Sequence, residues 1–171
     1  MKEQQKKYEL TDEFIVHCSG KKLYRIRALV TFGAVVAGQL GGFVETEKNL
    51  DQSLYGNAWV YGNAQVCGDA RVYGDAWVYG DAWVCGNAQV RSYAVISERK
   101  MIFWASNVGS ENGTLTVFNG KDGLIVTRGC FTGTVDEFLA KSAEVHDDKT
   151  KNEYKLLIEV AKSRILGVKD E

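Results

Sequence analysis

The sequence predicts a mainly β chain in three parts: an N-terminal β cap over residues 1–50, a short parallel coil of stacked strands over 51–100, and, over 101–171, a β-meander followed by an αα-hairpin. Three observations predict it. From Gly56 to Arg91 the pattern Gly-[Asn/Asp]-Ala-x-Val-x runs six times without an insertion. Such self-similarity at a fixed period marks a solenoid, whose units bury their apolar faces only by stacking on one another. Glycine supplies 18 of 171 residues and proline 0, which suits a chain with many corners at φ > 0 better than a linker. Beyond Thr134 the apolar residues recur at the spacing of a helix face.

The first part opens on the charged segment Met1 to Lys7, which has no apolar run of the kind a signal peptide carries. Residues 14–17 and 23–29 read as two strands around a Ser19-Gly20-Lys21 turn. Residues 28–44 carry no charge and have almost the length that a bilayer span requires, about 17–25 residues. Glycines at 33, 38, 41 and 42 and the scarcity of Leu and Ile instead favour turns and buried strands. An irregular first turn or cap is expected here, since a solenoid end exposes unpaired strand edges. Val36 lies three repeat lengths before Leu54 and so falls in register with the inward slot of the repeat.

Within one repeat, Ala and Val sit two apart and so share one face of an extended segment. The following Gly-[Asn/Asp] must turn a corner, and these are the residues that best tolerate the left-handed region. A short strand and a corner in every repeat generate three sides, so three repeats complete one turn of the coil. The inward slot extends to Leu54 before Val60, and to Ile96 and Ile102 after Val90. Two to three turns at the strand spacing of about 4.8 Å make a prism about 10–15 Å long.

The Ala64/Val66-type pairs and the Gly-[Asn/Asp] corners resemble the hexapeptide-repeat, left-handed parallel β-helix family. That resemblance implies left-handed winding and side-by-side packing of copies, commonly as trimers. Asp69, Asp75 and Asp81 exchange with Asn57, Asn63 and Asn87 along the repeat, which reads as corner formation rather than calcium binding. Residues 18 apart stack in outward slots: Trp59 over Trp77, Tyr61 over Tyr79, Trp83 beside Gln65, Cys67 over Cys85. The aromatic flanks Trp59, Tyr61, Trp77, Tyr79 and Trp83 are therefore the interface candidates. Self-association, a partner groove and nucleobase stacking are all open to them.

In the third part, residues 101–106, 114–118 and 124–128 read as strands, with turns at Asn112-Gly113, Asn119-Gly120 and Asp122-Gly123. Thr134-Val-Asp-Glu137 is a capping-box pattern; Val135, Phe138, Leu139 and Ala143 line one helix face. A second helix is expected over 152–166, with Tyr154, Leu157, Ile158, Ala161 and Ile165 on one face and residues 147–151 as connector. More narrowly, three stretches resemble short hexapeptide-repeat proteins encoded by phages and prophages. These are Leu23-Tyr-Arg-Ile-Arg-Ala28; Leu40-Gly-Gly-Phe43 with Glu45 and Glu47-Lys-Asn-Leu50; and Val126-Thr-Arg-Gly-Cys-Phe131. The resemblance implies a phage-related context and carries no site residues with it.

For chemistry the sequence offers little. The family's acyltransferases use a histidine as general base and its γ-class carbonic anhydrases hold zinc with three. This chain has two histidines, His17 and His146, both far from the repeat in sequence. His17 and Cys18 on one strand would face opposite sides, and His146 falls near a helix C-terminus. No phosphate loop is present. The four cysteines show no pairwise zinc spacing, so reduced thiols in a cytoplasmic protein, without metal or cofactor, are expected. A formal charge of −1 gives no footprint for nucleic acid or for an acidic membrane. The expectation is a non-catalytic binding protein, an oligomeric scaffold (a trimer foremost) engaging a host or phage protein. An inhibitor of a bacterial defence system falls in this class. A reduced acyl-CoA-dependent acyltransferase and a nucleotide or small-molecule binder at a subunit interface are the alternatives.

Overall fold

Hydrogen bonding between repeats sets the architecture. In the computed structural model, which describes residues 5–167, each of the six repeats forms a two-residue strand, β4 (Trp59–Val60), β5 (Gln65–Val66), β6 (Arg71–Val72), β7 (Trp77–Val78), β8 (Trp83–Val84) and β9 (Gln89–Val90), and β10 (Val95–Ile96) follows just beyond them. Each of β4 to β7 pairs in parallel with the strand three repeats on: Val60 with Val78, Val66 with Val84, Val72 with Val90, Val78 with Ile96. The chain thus visits three ladders in rotation. Every Ala and Val of the repeat is buried, forming one core. The corners close-pack backbone on backbone: Gly62 (φ +67) lies over Gly80 (φ +60), and a Cβ on Gly62 would sit 3.2 Å from the Gly80 nitrogen.

The described chain is mainly β, with two α-helices. Before the repeat come β1 (Tyr8–Val16), β2 (Lys22–Ala28) and β3 (Leu40–Val44). β1 and β2 form an antiparallel hairpin, longer than residues 14–17 and 23–29 suggest, and β2 pairs antiparallel with β3. β3 then pairs in parallel with β5, giving a five-stranded sheet in the order β1-β2-β3-β5-β8. Residues 1–4 of the charged first segment lie outside the described residues.

The first turn departs from the expected register. Val44 pairs with Val66 and Leu50 bridges Val72, so the chain here takes a longer path than three repeats. The excess is accommodated between Leu50 and Trp59. Leu54 is pushed out to 49% exposure and Val36 to 61%; neither occupies the inward slot, which belongs to the buried Val44 and Leu50. The backbone edge of this first turn is closed by side chains. Asn49, fully buried, accepts from the Glu45 and Thr46 amides and donates to the Gly68 and Ala70 carbonyls. The Lys7 ammonium donates to the Ala58 carbonyl at 2.8 Å. Closing an edge this way removes a template for unwanted strand pairing.

After the repeat, β11 (Ile102–Val108), β12 (Gly113–Gly120), β13 (Gly123–Arg128) and β14 (Phe131–Thr134) form an antiparallel sheet, one strand larger than the sequence pattern suggests. One face meets the last turn of the repeat. There Ile102 and Phe118 join the repeat core, the Gln89 amide donates to Thr116 Oγ1 at 3.0 Å, and Thr127 Oγ1 donates to the Gln89 carbonyl at 2.7 Å. The other face carries Leu115, Val117 and Val126 against Phe138, Tyr154, Ile158 and Ile165 of α1 (Val135–Val145) and α2 (Asp148–Leu166). Strand alternation explains the split: neighbouring residues of β12 serve opposite cores.

Thr134 caps α1 by accepting from the Glu137 amide. α2 begins at Asp148, ahead of the apolar periodicity, because the Asp147 carboxylate accepts from the Thr150 amide and starts the helix in a polar stretch. The connector shrinks to His146 and Asp147. Among the described residues no helix is long and apolar enough to cross a membrane.

Candidate functional site

The five aromatic candidates do not form one exposed flank. Trp59 points out of the repeat but is covered, 1% exposed, with Tyr8 and Phe32 packed edge-on against it at 6.3 and 5.3 Å. The N-terminal cap wraps over this slot, so Trp59 is a core residue; its indole N–H is buried without a hydrogen-bond partner. Tyr61 and Tyr79 stack in parallel at 4.9 Å, as their equivalent places in successive turns require, and Tyr61 meets the Trp77 ring edge-on at 6.1 Å. Burial, with Tyr79 alongside, pushes the Tyr61 hydroxyl above its usual range. Trp77 remains 38% exposed and lines a groove of about 490 Å³ with Asn57, Asp75, Tyr93 and Lys121. Tyr93, 58% exposed, lies just beyond the strict repeat, so the repeat pattern gives no sign of it.

Trp83 leads to a second site. Its ring is met edge-on by His17 at 4.6 Å, and the Arg99 guanidinium lies 3.4 Å from its centre. His17 arrives from the hairpin. The β1–β2 ladder is bulged between Leu10 and Phe14, and the far half of the hairpin lies over β5 and β8, where Leu23 and Ile15 pack with Phe43, Cys67 and Cys85. His17 is in the turn after β1 rather than on the strand, so the expectation that His17 and Cys18 face apart does not hold: Cys18 Sγ is 3.5 Å from His17 Nε2. His17 Nδ1 donates to Gln65 Oε1 at 2.7 Å.

The cysteines follow. Cys67 and Cys85 stack on successive turns, as residues 18 apart are expected to, and both are free thiols. With His17 they form a cluster whose ligand atoms all lie within 4.8 Å of one another; Cys85 Sγ is 4.0 Å from Nε2. Short spacings along the sequence reveal no close ligand pair, because the pair comes from stacked turns of the coil and the histidine from a distant hairpin. The close approach of the two thiols holds Cys67 below the usual thiol range and pushes Cys85 above it, burial adding to the rise at Cys85. Lys21 and Glu45 form an ion pair at 3.2 Å beside the cluster, and Glu47 pairs with Lys6.

His146 is placed elsewhere. It terminates α1, bonds Ser142 Oγ through Nδ1 at 2.8 Å and packs on Tyr154. Two chemically distinct features therefore stand out: the Trp77 groove, suited to binding, and the His17–Cys67–Cys85 cluster, suited to a soft metal ion. No family model matches the chain, and no curated protein matches it.

Proposed function

We propose that the chain is a non-catalytic binding protein: a short left-handed parallel β-helix that assembles with copies of itself, as a scaffold for engaging a further protein of host or phage origin. The hexapeptide corners with positive φ and the pairing of every third repeat support the β-helix. The observation that carries the binding role is Trp77, open to solvent in the groove it shares with Tyr93, Asp75 and Lys121. A wide aromatic surface with one acid and one base is suited to a second copy, which meets it without net charge. Neither histidine lines the Trp77 groove, which weighs against the acyltransferase alternative, since that needs a base within hydrogen-bond reach of an acceptor hydroxyl.

Native mass spectrometry of the purified protein tests this reading. A multiple of 19.0 kDa, with a trimer foremost, is expected, and it should revert to the monomer mass in Trp77→Ala. A monomer at all concentrations, or assembly unaffected by Trp77→Ala, would overturn it. Acetyl-CoA turnover lost in His17→Ala would restore the enzymatic alternative.

A further inference from the structure

We propose that His17 Nε2, Cys67 Sγ and Cys85 Sγ, with Cys18 Sγ as the fourth donor, form a tetrahedral site for Zn²⁺ that staples the N-terminal hairpin to the repeat. The inference is independent of self-association. It starts from the donor set: thiolates and a neutral imidazole are the ligands a borderline-soft divalent ion prefers. With Zn–S near 2.3 Å and Zn–N near 2.0 Å, the edges of a filled site are roughly 3.3–3.8 Å. The three deepest donors already lie within 4.8 Å of one another, so their closure needs shifts of about an ångström. Cys18 Sγ, 3.5 Å from Nε2, lies outside that group and joins it by turning its exposed side chain inward.

The surroundings are those of a site rather than of stray thiols. Gln65 accepts the Nδ1 proton, which leaves the Nε2 lone pair directed at the sulfurs. This is how metal-ligating histidines are held: the second ring nitrogen donates to a fixed acceptor. Trp83 packs against the imidazole. Cys67 and Cys85 are fixed by the ladder itself, the Cys67 amide donating to the Val84 carbonyl at 3.0 Å. Binding displaces the three thiol protons to solvent and leaves a centre of formal charge −1; Arg99, stacked on the Trp83 ring that meets His17, offsets it, while the Lys21 charge is already paired with Glu45. His17 and Cys67 are buried and Cys18 is exposed, so the ion enters from the hairpin-turn side.

The test uses the full chain, reduced with a metal-free phosphine, and Zn²⁺ or Co²⁺ alone as probe. One Zn²⁺ per chain is expected. It should protect three of the four thiols from a disulfide reagent and leave Cys130 reactive. Co²⁺ should give thiolate-to-metal charge-transfer absorption and the strong visible bands of tetrahedral coordination. Both signals should survive Cys130→Ser and vanish in Cys67→Ser and Cys85→Ser. Protection of fewer than three thiols, less than one ion per chain, or a cobalt spectrum that persists in Cys67→Ser would overturn the proposal. The thiol count is made on the unmutated chain, so it decides the matter even if a cysteine variant fails to fold.

Discussion

Gln65 Oε1 lies 2.7 Å from His17 Nδ1, across 48 residues of sequence, and so places the imidazole proton on Nδ1. The same contact orients Nε2 toward Cys18 and Cys85. If the cluster holds Zn²⁺, Gln65→Leu should weaken it by about 10–100-fold, the usual cost of losing such a positioning partner. Gln65→Glu, which still offers an acceptor, should restore most of the affinity. Competition with a chromophoric chelator measures both, and ¹⁵N shifts of His17 should show the tautomer released in Gln65→Leu alone.

Lys7 gives stability a pH dependence. Its ammonium is buried over the Phe32 ring at 4.8 Å and donates to Ala58; burial, partly opposed by Asp51, pushes its pKa from 10.5 down to about 8. The unfolded chain therefore binds more protons between these values, and the destabilising contribution present below pH 8 is relieved as pH rises. Tyr8 works oppositely above pH 10, since burial and then Glu47 and Asp51 raise its hydroxyl pKa. Unfolding free energy should rise between pH 8 and 10 by about 1–2 kcal/mol from Lys7, after allowance for solvent screening. Urea titrations should show that rise flattened in Lys7→Met.

Trp59 and Trp77 are the same repeat position in successive turns and should respond differently to truncation. Trp59→Ala empties a slot closed by Tyr8 and Phe32 and should cost about 3–5 kcal/mol. Trp77→Ala removes an exposed ring and should cost less than about 1 kcal/mol of monomer stability while abolishing assembly. Thermal melts paired with sedimentation velocity separate the two effects.

Asn49 uses all of its amide hydrogen-bonding capacity inside the fold. Asn49→Leu should cost about 2–4 kcal/mol, because it strips bonds from the buried edge of the first turn. Asn49→Asp should be at least as damaging, since it turns a carboxylate oxygen toward the Gly68 and Ala70 carbonyls. Hydrogen exchange should show the loss of protection concentrated at Thr46 and the neighbouring turn.

The repeat was legible because its information is local. Ala-x-Val sets the buried face, and Gly-[Asn/Asp] sets the corner; the stacks Tyr61–Tyr79 and Cys67–Cys85 follow. The capped start of α1 at Thr134 was legible for the same reason. Leu54 misled because its spacing fits the inward slot, yet a strand's register is decided by what it pairs with, and Leu50 makes that pairing with Val72. The start of α2 was hidden because Asp147 begins it in the polar stretch 147–153, with no apolar face to reveal the period.

Rules acting over a few residues are enough to specify a mainly β chain with a six-residue period, the inward Ala and Val rows, the stacked outward pairs and two C-terminal helices. Which outward residues stay outward, and which groups meet, is settled by packing at long range. The N-terminal cap buries Trp59 beneath Tyr8 and Phe32, and its hairpin carries His17, with Cys18 beside it, onto Cys67, Cys85 and Gln65. Those contacts join residues 48 to 68 positions apart, except the local His17–Cys18 pair and the shorter-range Phe32–Trp59 pair. No short-range pattern encodes them, because they depend on how one folded surface packs against another.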